Sequence, residues 1–138
     1  MSDPIGNDSA ERRTRQRFVA RRRGAPCFWA LLGDARIALN DLSMEGFALQ
    51  CATPPALGVE QAVVLQREGV PDEIRGRAVV VNHIARADGG VAGFRFVGLD
   101  GDGAERLQDW LVAHVIMNAS VRISEKEATE IVLGRSLI

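Results

Sequence analysis

The chain has 138 residues, of which 46% are hydrophobic and 25% charged, a balance typical of one globular domain with short tails. No stretch approaches the roughly 18 apolar residues that a membrane span requires. The polar residues 1–10 contain no apolar segment of the kind found in secretory signals. The composition therefore argues against a membrane-spanning protein and favours a cytoplasmic one.

The net charge of −1 hides an uneven distribution. Residues 1–24 carry seven arginines against three carboxylates and sum to +4, so the remaining 114 residues sum to −5. A basic segment attached to an acidic body indicates an anionic partner at that segment. We interpret residues 1–10 as a disordered N-terminus and residues 11–24 as a basic arm.

Residues 25–99 contain short apolar runs separated by turn signals, a pattern typical of an antiparallel barrel or sandwich. No segment between the runs is long enough for a crossover helix, which argues against parallel strands. Gly76 is expected to mark a bulge or bend in the longest strand, and Asp88–Gly90 is expected to form a hairpin turn. The six predicted strands are Ala25–Leu32, Arg36–Asn40, Phe47–Cys51, Ala62–Gln66, Glu73–Arg86 and Val91–Val97.

The pattern becomes helical after the break at residues 100–103. Asp102 is a suitable N-cap for a helix over residues 103–117. One face of this helix is apolar and is expected to cover an open end of the strands. The residues of that face are Leu107, Trp110, Leu111, His114 and Val115.

The tail, residues 118–138, contains a second helix signal. Ser124 and Glu127 have the spacing of a capping box, which predicts a short helix over residues 125–133. The apolar residues of this helix can pack on the barrel or on another chain, so a monomer and a homodimer both stay open.

Four side chains with reactive chemistry, Cys27, Cys51, His83 and His114, lie far apart in the sequence. The cysteines belong to apolar segments and to no metal-binding motif, so we expect buried, reduced thiols rather than a disulfide or a zinc site. The histidines have no companion at the spacing of a metal site or a catalytic triad, so we expect structural roles. Neither catalysis nor a metal or other cofactor is predicted.

The first candidate binding motif is the RxxxR sequence Arg13–Arg17 inside the basic arm. A guanidinium offers a planar fork of donors that matches the O6/N7 edge of guanine, stacks on base planes and pairs with phosphate. Alone, an arginine-rich arm is more typical of solvated charge or of non-specific binding to nucleic acid. Arg13 and Arg17 are the ligand candidates within it.

The second candidate motif is the DxSxxG sequence Asp41–Gly46 between two predicted strands. Asp41 and Ser43 are expected to project from one face of an extended segment, where a carboxylate and a hydroxyl suit the N1–H and N2–H₂ edge of guanine. Gly46 is expected where the backbone needs a positive φ or a close approach. Alone, the same pattern commonly makes only a turn.

The pairing of these two motifs, about two dozen residues apart, resembles the signature of PilZ domains. The motif residues are Arg13, Arg17, Asp41, Ser43 and Gly46. Gly93–Leu99 is similar to the closing strand of that family, and the resemblance covers residues 11–115 of the chain.

The resemblance implies a six-stranded antiparallel β-barrel with a C-terminal helix, within a domain spanning residues 11–117. It implies cyclic di-GMP as the ligand, with the arm arginines on guanine and phosphate, and with Asp41 and Ser43 on a guanine edge. In the family, an arginine directly before RxxxR tends to accompany a stacked pair of ligands, so Arg12 favours two ligands per domain.

The expected activity is that of a bacterial receptor or adaptor whose arm becomes ordered over the barrel when the ligand neutralises its charge. The changed surface would signal to an unidentified protein target, in motility or biofilm regulation. No binding to DNA or RNA is expected, because the body is acidic and only 5% of the residues are aromatic.

Three other functions remain as alternatives. A PilZ-like module that has lost the ligand and binds a protein directly is the first, and a titration with cyclic di-GMP distinguishes it. A small nucleic-acid-binding barrel is the second, and a salt-dependent filter-binding assay tests it. A flavin-binding split-barrel enzyme is the third, and an absorbance spectrum of the purified protein tests it.

Overall fold

A computed structural model describes residues 16–87 and 89–134 of the chain. Arg12 and Arg13 of the arm, and Asp88 of the predicted hairpin turn, lie outside the described residues. The described part contains nine strands and two helices. Neither helix in this part is long and apolar enough to cross a membrane.

The strands are named in chain order. They are β1 (Phe18–Val19), β2 (Arg21–Arg22), β3 (Ala25–Pro26), β4 (Phe28–Leu32), β5 (Ala35–Leu42), β6 (Gly46–Gln50), β7 (Glu60–Arg67), β8 (Val70–Ile84) and β9 (Val91–Leu99). The helices are α1 (Gly103–Asn118) and α2 (Glu125–Leu133).

Strands β4 to β9 form a closed barrel in the order β5-β4-β7-β8-β9-β6, because β6 also pairs with β5. Every pairing around the barrel is antiparallel. The predicted six-stranded antiparallel barrel is therefore confirmed. Closure leaves no free sheet edge between these six strands, which removes the usual route to edge-to-edge aggregation.

The core follows from the alternation of side chains along the strands. Phe28 and Ala30 of β4, like Leu39 of β5, are almost fully buried, while the residues between them are more exposed. Helix α1 adds its apolar face to the same core. The indole of Trp110 lies over the ring of Phe28 with a centroid distance of 6.3 Å, so Trp110 has the packing role that its helical spacing predicts.

The first predicted strand, Ala25–Leu32, is wrong as a single element. Ala25–Pro26 pairs instead with Arg21–Arg22 in a separate two-stranded hairpin. Arg23 and Gly24 join the two strands with φ of 55° and 80°, the left-handed values of a tight hairpin turn. The part of the arm that the structure describes therefore forms short strands, which were not predicted from the sequence.

The longest strand also differs from the prediction of Glu73–Arg86, because β8 begins at Val70. Gly69 has φ of 76° and Val70 already pairs with Arg67, so the turn before β8 is short. Gly76 pairs regularly with Val63, and the register shift lies one residue later, between Arg77 and Ala78.

The helix ends were predicted with mixed success. Asp102 precedes α1 but makes no side-chain cap, because its carboxylate accepts a hydrogen bond from the Arg106 guanidinium at 2.8 Å. The capping box before α2 is confirmed, with the Ser124 hydroxyl and the Glu127 carboxylate each bonded to the backbone of the other.

His114 of α1 connects the helix to the short strand β1. Its Nε2–H donates to the carbonyl oxygen of Val19 at 2.8 Å. A carbonyl oxygen only accepts, so Nδ1 is left as the acceptor, and it faces the Asn118 amide at 3.2 Å and the Cys27 thiol at 3.8 Å. The neutral imidazole thus fits its surroundings and holds β1 against the helix.

Burial lowers the pKa of His114 below its ordinary value of 6.5, and the nearby Arg67 and Arg22 lower it further against the opposing effect of the Val19 carbonyl. Burial, followed by the charge of Glu68, raises the pKa of the Cys27 thiol. The thiol therefore stays protonated and can donate to the imidazole. Both cysteines are free thiols, and Cys27 is buried as predicted, whereas Cys51 is only half-buried.

The free energy of unfolding is expected to depend on pH through His114. In the unfolded chain its pKa returns to about 6.5, so between that value and the lower folded pKa the unfolded state binds more protons. This contribution is complete above pH 6.5 and is lost as the pH falls through the window below it. Urea denaturation at several pH values measures the effect.

The variant His114→Gln has no titrating group and should flatten the dependence over that pH window. Gln108→Ala, a substitution on the same helix that removes no titrating group, is the control, and its pH dependence should follow that of the parent. A parent-like slope in His114→Gln would contradict the assignment.

Candidate functional site

The turn between β5 and β6 is built around the hydroxyl of Ser43. Strand β5 ends at Leu42, and Ser43 begins the turn, where its N–H donates to the Gly46 carbonyl at 2.9 Å. Its Oγ accepts from the backbone N–H groups of Glu45 and Gly46 at 3.1 and 3.2 Å and donates to the Gly46 carbonyl at 3.4 Å. A hydroxyl has one donor and two acceptor positions, and all three are used within the turn.

Gly46 is required by a close approach of two strands rather than by a left-handed backbone. It is not among the described glycines with positive φ. A Cβ at Gly46 would lie 1.9 Å from the carbonyl oxygen of Phe94 in β9, a distance that no side chain can occupy. The face of β6 and β9 that points into the barrel is also closely packed, since the rings of Phe47 and Phe94 stack with a centroid distance of 4.8 Å.

Asp41 lies on the outer surface of the barrel, between two partner strands. It pairs with Val19 of β1 on one side and with Ala48 of β6 on the other. A register shift directly before it, between Leu39 and Asp41, marks a β-bulge of the kind that redirects side chains near binding sites. Asp41 is half-buried, and its Oδ1 is enclosed by protein.

The pairing of β1 with β5 brings the arm to the DxSxxG motif. Phe18 pairs with Leu42, so Arg17, the preceding residue, is placed beside the Ser43 turn. Arg17 is exposed. The structure thus brings Arg17, Asp41, Ser43 and Gly46 to one corner of the barrel; the positions of Arg12 and Arg13 lie outside the described residues.

One polar residue next to this corner was not identified from the sequence. Arg95 of β9 pairs with Gly46, and its side chain is exposed. The alternation of Phe94, Arg95 and Phe96 could have shown that Arg95 faces outward, but the strand order that places it beside Gly46 is not readable from a single sequence.

The arrangement suits non-covalent recognition of an anionic, base-containing ligand. The arm contributes guanidinium groups, which pair with phosphate and with the acceptor edge of guanine. The Asp41 carboxylate contributes acceptors. Further positive charge comes from the β2–β3 hairpin, where Arg21, Arg22 and Arg23 are all exposed.

A solved structure with a similar fold, that of MotI/DgrA, supports this architecture. The inhibitor of motility from Bacillus subtilis (MotI/DgrA) is similar with a TM-score of 0.59 and 14% sequence identity, over 78% of this chain. The chain spans 53% of that protein, about half of its length. A Legionella protein, Lpg0364, is similar with a TM-score of 0.45 and 17% identity, over 67% of this chain and 85% of its own. No curated protein matches the sequence.

The family comparison covers most of the chain. The model of the PilZ domain family matches residues 11–113, a range that includes both motifs and all six barrel strands. PilZ domains are binding and adaptor domains rather than enzymes, and the family is known as one of cyclic di-GMP receptors. With the barrel, the RxxxR arm and the DxSxxG turn all present, this chain belongs to the PilZ domain family.

Proposed function

We propose that this protein is a cytoplasmic receptor for cyclic di-GMP that passes the signal to a protein partner. The observation that carries the proposal is the pairing of β1 with β5, in which Val19 lies opposite Asp41. This pairing places Arg17, the last residue of the RxxxR motif, beside the only DxSxxG sequence in the chain. Donors for phosphate and guanine therefore approach the carboxylate from the adjacent strand.

Within this proposal the motif residues divide into two groups. Arg12, Arg13 and Arg17 supply the charge-assisted contacts to guanine and phosphate, and Arg12 extends the site to a second, stacked ligand. Asp41 accepts from a guanine edge. Ser43 and Gly46 act indirectly. All hydrogen-bonding positions of the Ser43 hydroxyl are used within the turn, and Gly46 allows the close approach of β9.

The output follows from the contact between the arm and the last turns of α1. The His114 imidazole donates a hydrogen bond to the Val19 carbonyl. A change in the position of β1 therefore alters the surface that β1 and α1 form together. Ordering of the arm by the ligand phosphates would present a new surface to the partner. We propose motility or biofilm control as the process regulated, since MotI/DgrA is named as an inhibitor of motility.

The alternative within the family is a PilZ-like module that binds its protein partner without the nucleotide. The complete set of motif residues favours the receptor. If wild-type protein gives no heat with cyclic di-GMP at high micromolar concentration, the receptor proposal is wrong and the alternative takes its place.

Replacement of the arm arginines tests the ligand contacts. A charge-assisted or bidentate contact contributes roughly 1–3 kcal/mol, so Arg13→Ala and Arg17→Ala should each weaken binding by about tenfold to more than a hundredfold. Isothermal titration calorimetry measures affinity and stoichiometry together. Arg22→Ala, in the exposed hairpin of the same arm, is the matched control and should change the affinity little. Parent-like binding by both variants would refute the assignment.

Replacement of Ser43 tests its indirect role. Ser43→Ala leaves two turn N–H groups without their acceptor, which should lower the free energy of unfolding by about 1–3 kcal/mol. Urea denaturation measures the loss, and Ser120→Ala, at an exposed position, should be neutral. An unchanged stability together with lost affinity would show instead that the hydroxyl contacts the ligand directly.

A further inference from the structure

A groove separates strand β1 from the two helices. One side of it belongs to the arm, and the other side belongs to the end of α1, to the connection that follows it and to α2. We call it the arm–helix groove. The lining residues on which its chemistry depends are Phe18, Val19, Arg21, Val115, Val121 and Ile131.

The lining of the arm–helix groove is apolar and open to solvent. Phe18 and Val115 pack against the core with part of their surface. Val19 and Val121, by contrast, are 66% and 69% exposed, and Ile131 is 37% exposed. Exposed apolar side chains that lie together and are bordered by polar residues mark sites where another protein binds. The groove therefore has the composition of a protein interface.

The two sides of the groove carry opposite charges. On the arm side, Arg21 is exposed and lines the groove. On the helix side, Ile131 lies one helical turn after Glu127 and directly after Glu130, and both carboxylates are exposed. Residues three and four apart are neighbours on a helix surface, and the opposite face of α2 is buried in the core. The carboxylates therefore follow the outer edge of α2 beside Ile131.

Opposite charges on its two sides make this surface complementary to itself. A two-fold axis that runs along the groove places the arm side of one copy against the helix side of the other. Arg21 then faces Glu130 at two equivalent contacts, and the apolar residues between them are removed from water. Other occupants match one side alone, since an acidic peptide or an anionic membrane would be attracted by Arg21 but repelled by the carboxylates of α2.

We propose that the arm–helix groove is a homodimer interface, in which β1 and α2 of two copies pack against each other about a two-fold axis. Val19, Val121 and Ile131 form its apolar centre. Arg21 of each copy and the α2 carboxylates of the other form its charged rim. The dimer goes beyond the receptor function because it requires no nucleotide, although β1 belongs to both surfaces through its pairing with Asp41.

Sedimentation velocity on the full chain without nucleotide, from micromolar to near-millimolar concentration, tests the proposal. The wild-type chain should show a concentration-dependent equilibrium between monomer and dimer. Ile131→Glu places a charge in the apolar centre and should raise the dissociation constant more than about tenfold. Val81→Glu is the matched control, because Val81 is also an exposed apolar residue but belongs to β8, three strands from β5 in either direction. Its dissociation constant should equal that of the parent.

A charge exchange between two variants tests the two-fold arrangement. Arg21→Glu and Glu130→Arg each set like charges against each other at both contacts, so each should weaken the dimer about tenfold or more at low salt. An equimolar mixture of the two variants should dimerise like the wild type, because the heterodimer has opposite charges at both contacts. Glu127 is left unchanged because its carboxylate caps α2. Asp109→Arg, at an exposed carboxylate of α1 outside the groove lining, is the control and should restore nothing when mixed with Arg21→Glu.

Three results would overturn the inference. A wild-type chain that is monomeric over the whole range leaves the groove to a different protein or to residues 135–138 of the same chain, which lie outside the described residues. Parent-like dimerisation of Ile131→Glu would place the interface elsewhere. A mixture of the two charge variants that stays monomeric, while thermal unfolding shows both to be folded, would exclude the two-fold pairing of arm and helix.

Discussion

The two-residue pairing of β1 with β5 is the contact on which the site depends. It aligns Phe18 with Leu42 and Val19 with Asp41, and Ala20 continues it by donating to the Asn40 carbonyl at 3.0 Å. Such a short ladder is weak by itself. It is supported from within by Ala20, which is fully buried, and from α1 by the bond between His114 and Val19. The basic arm, the barrel and helix α1 thus meet at strand β1.

The barrel supplies a rigid surface for that contact. Its strands are tied into a closed sheet, and the β5–β6 turn is fixed to β9 because Phe96 N–H donates to the Glu45 carbonyl at 2.8 Å. Stacked phenylalanine rings fill the space beneath the turn. A rigid site joined to a lightly held arm is the combination that a ligand-driven switch needs, since only the arm has to be reorganised.

Much of this architecture could be predicted from local sequence patterns. The barrel strands followed from alternation, the second helix from its capping box and the motif residues from their spacing. What failed had two causes. Two errors come from local interactions that compete with the predicted ones, since the Arg23–Gly24 turn splits Ala25–Leu32 and Arg106, one helical turn later, engages the Asp102 carboxylate. Arg95, by contrast, becomes a neighbour of Gly46 only through the strand order, which a single sequence does not contain.

The saturated hydroxyl of Ser43 has a consequence for how related sequences are interpreted. The serine and the glycine of the motif hold a hairpin together, so the need to fold is enough to retain them in any descendant of this barrel, whatever that descendant recognises. Arg17, the motif arginine that the structure describes, is exposed, so we expect its loss to leave the barrel folded. A homologue with the turn residues but without the arm cations should therefore be classed by its missing charges, because the turn residues alone are explained by the need to fold.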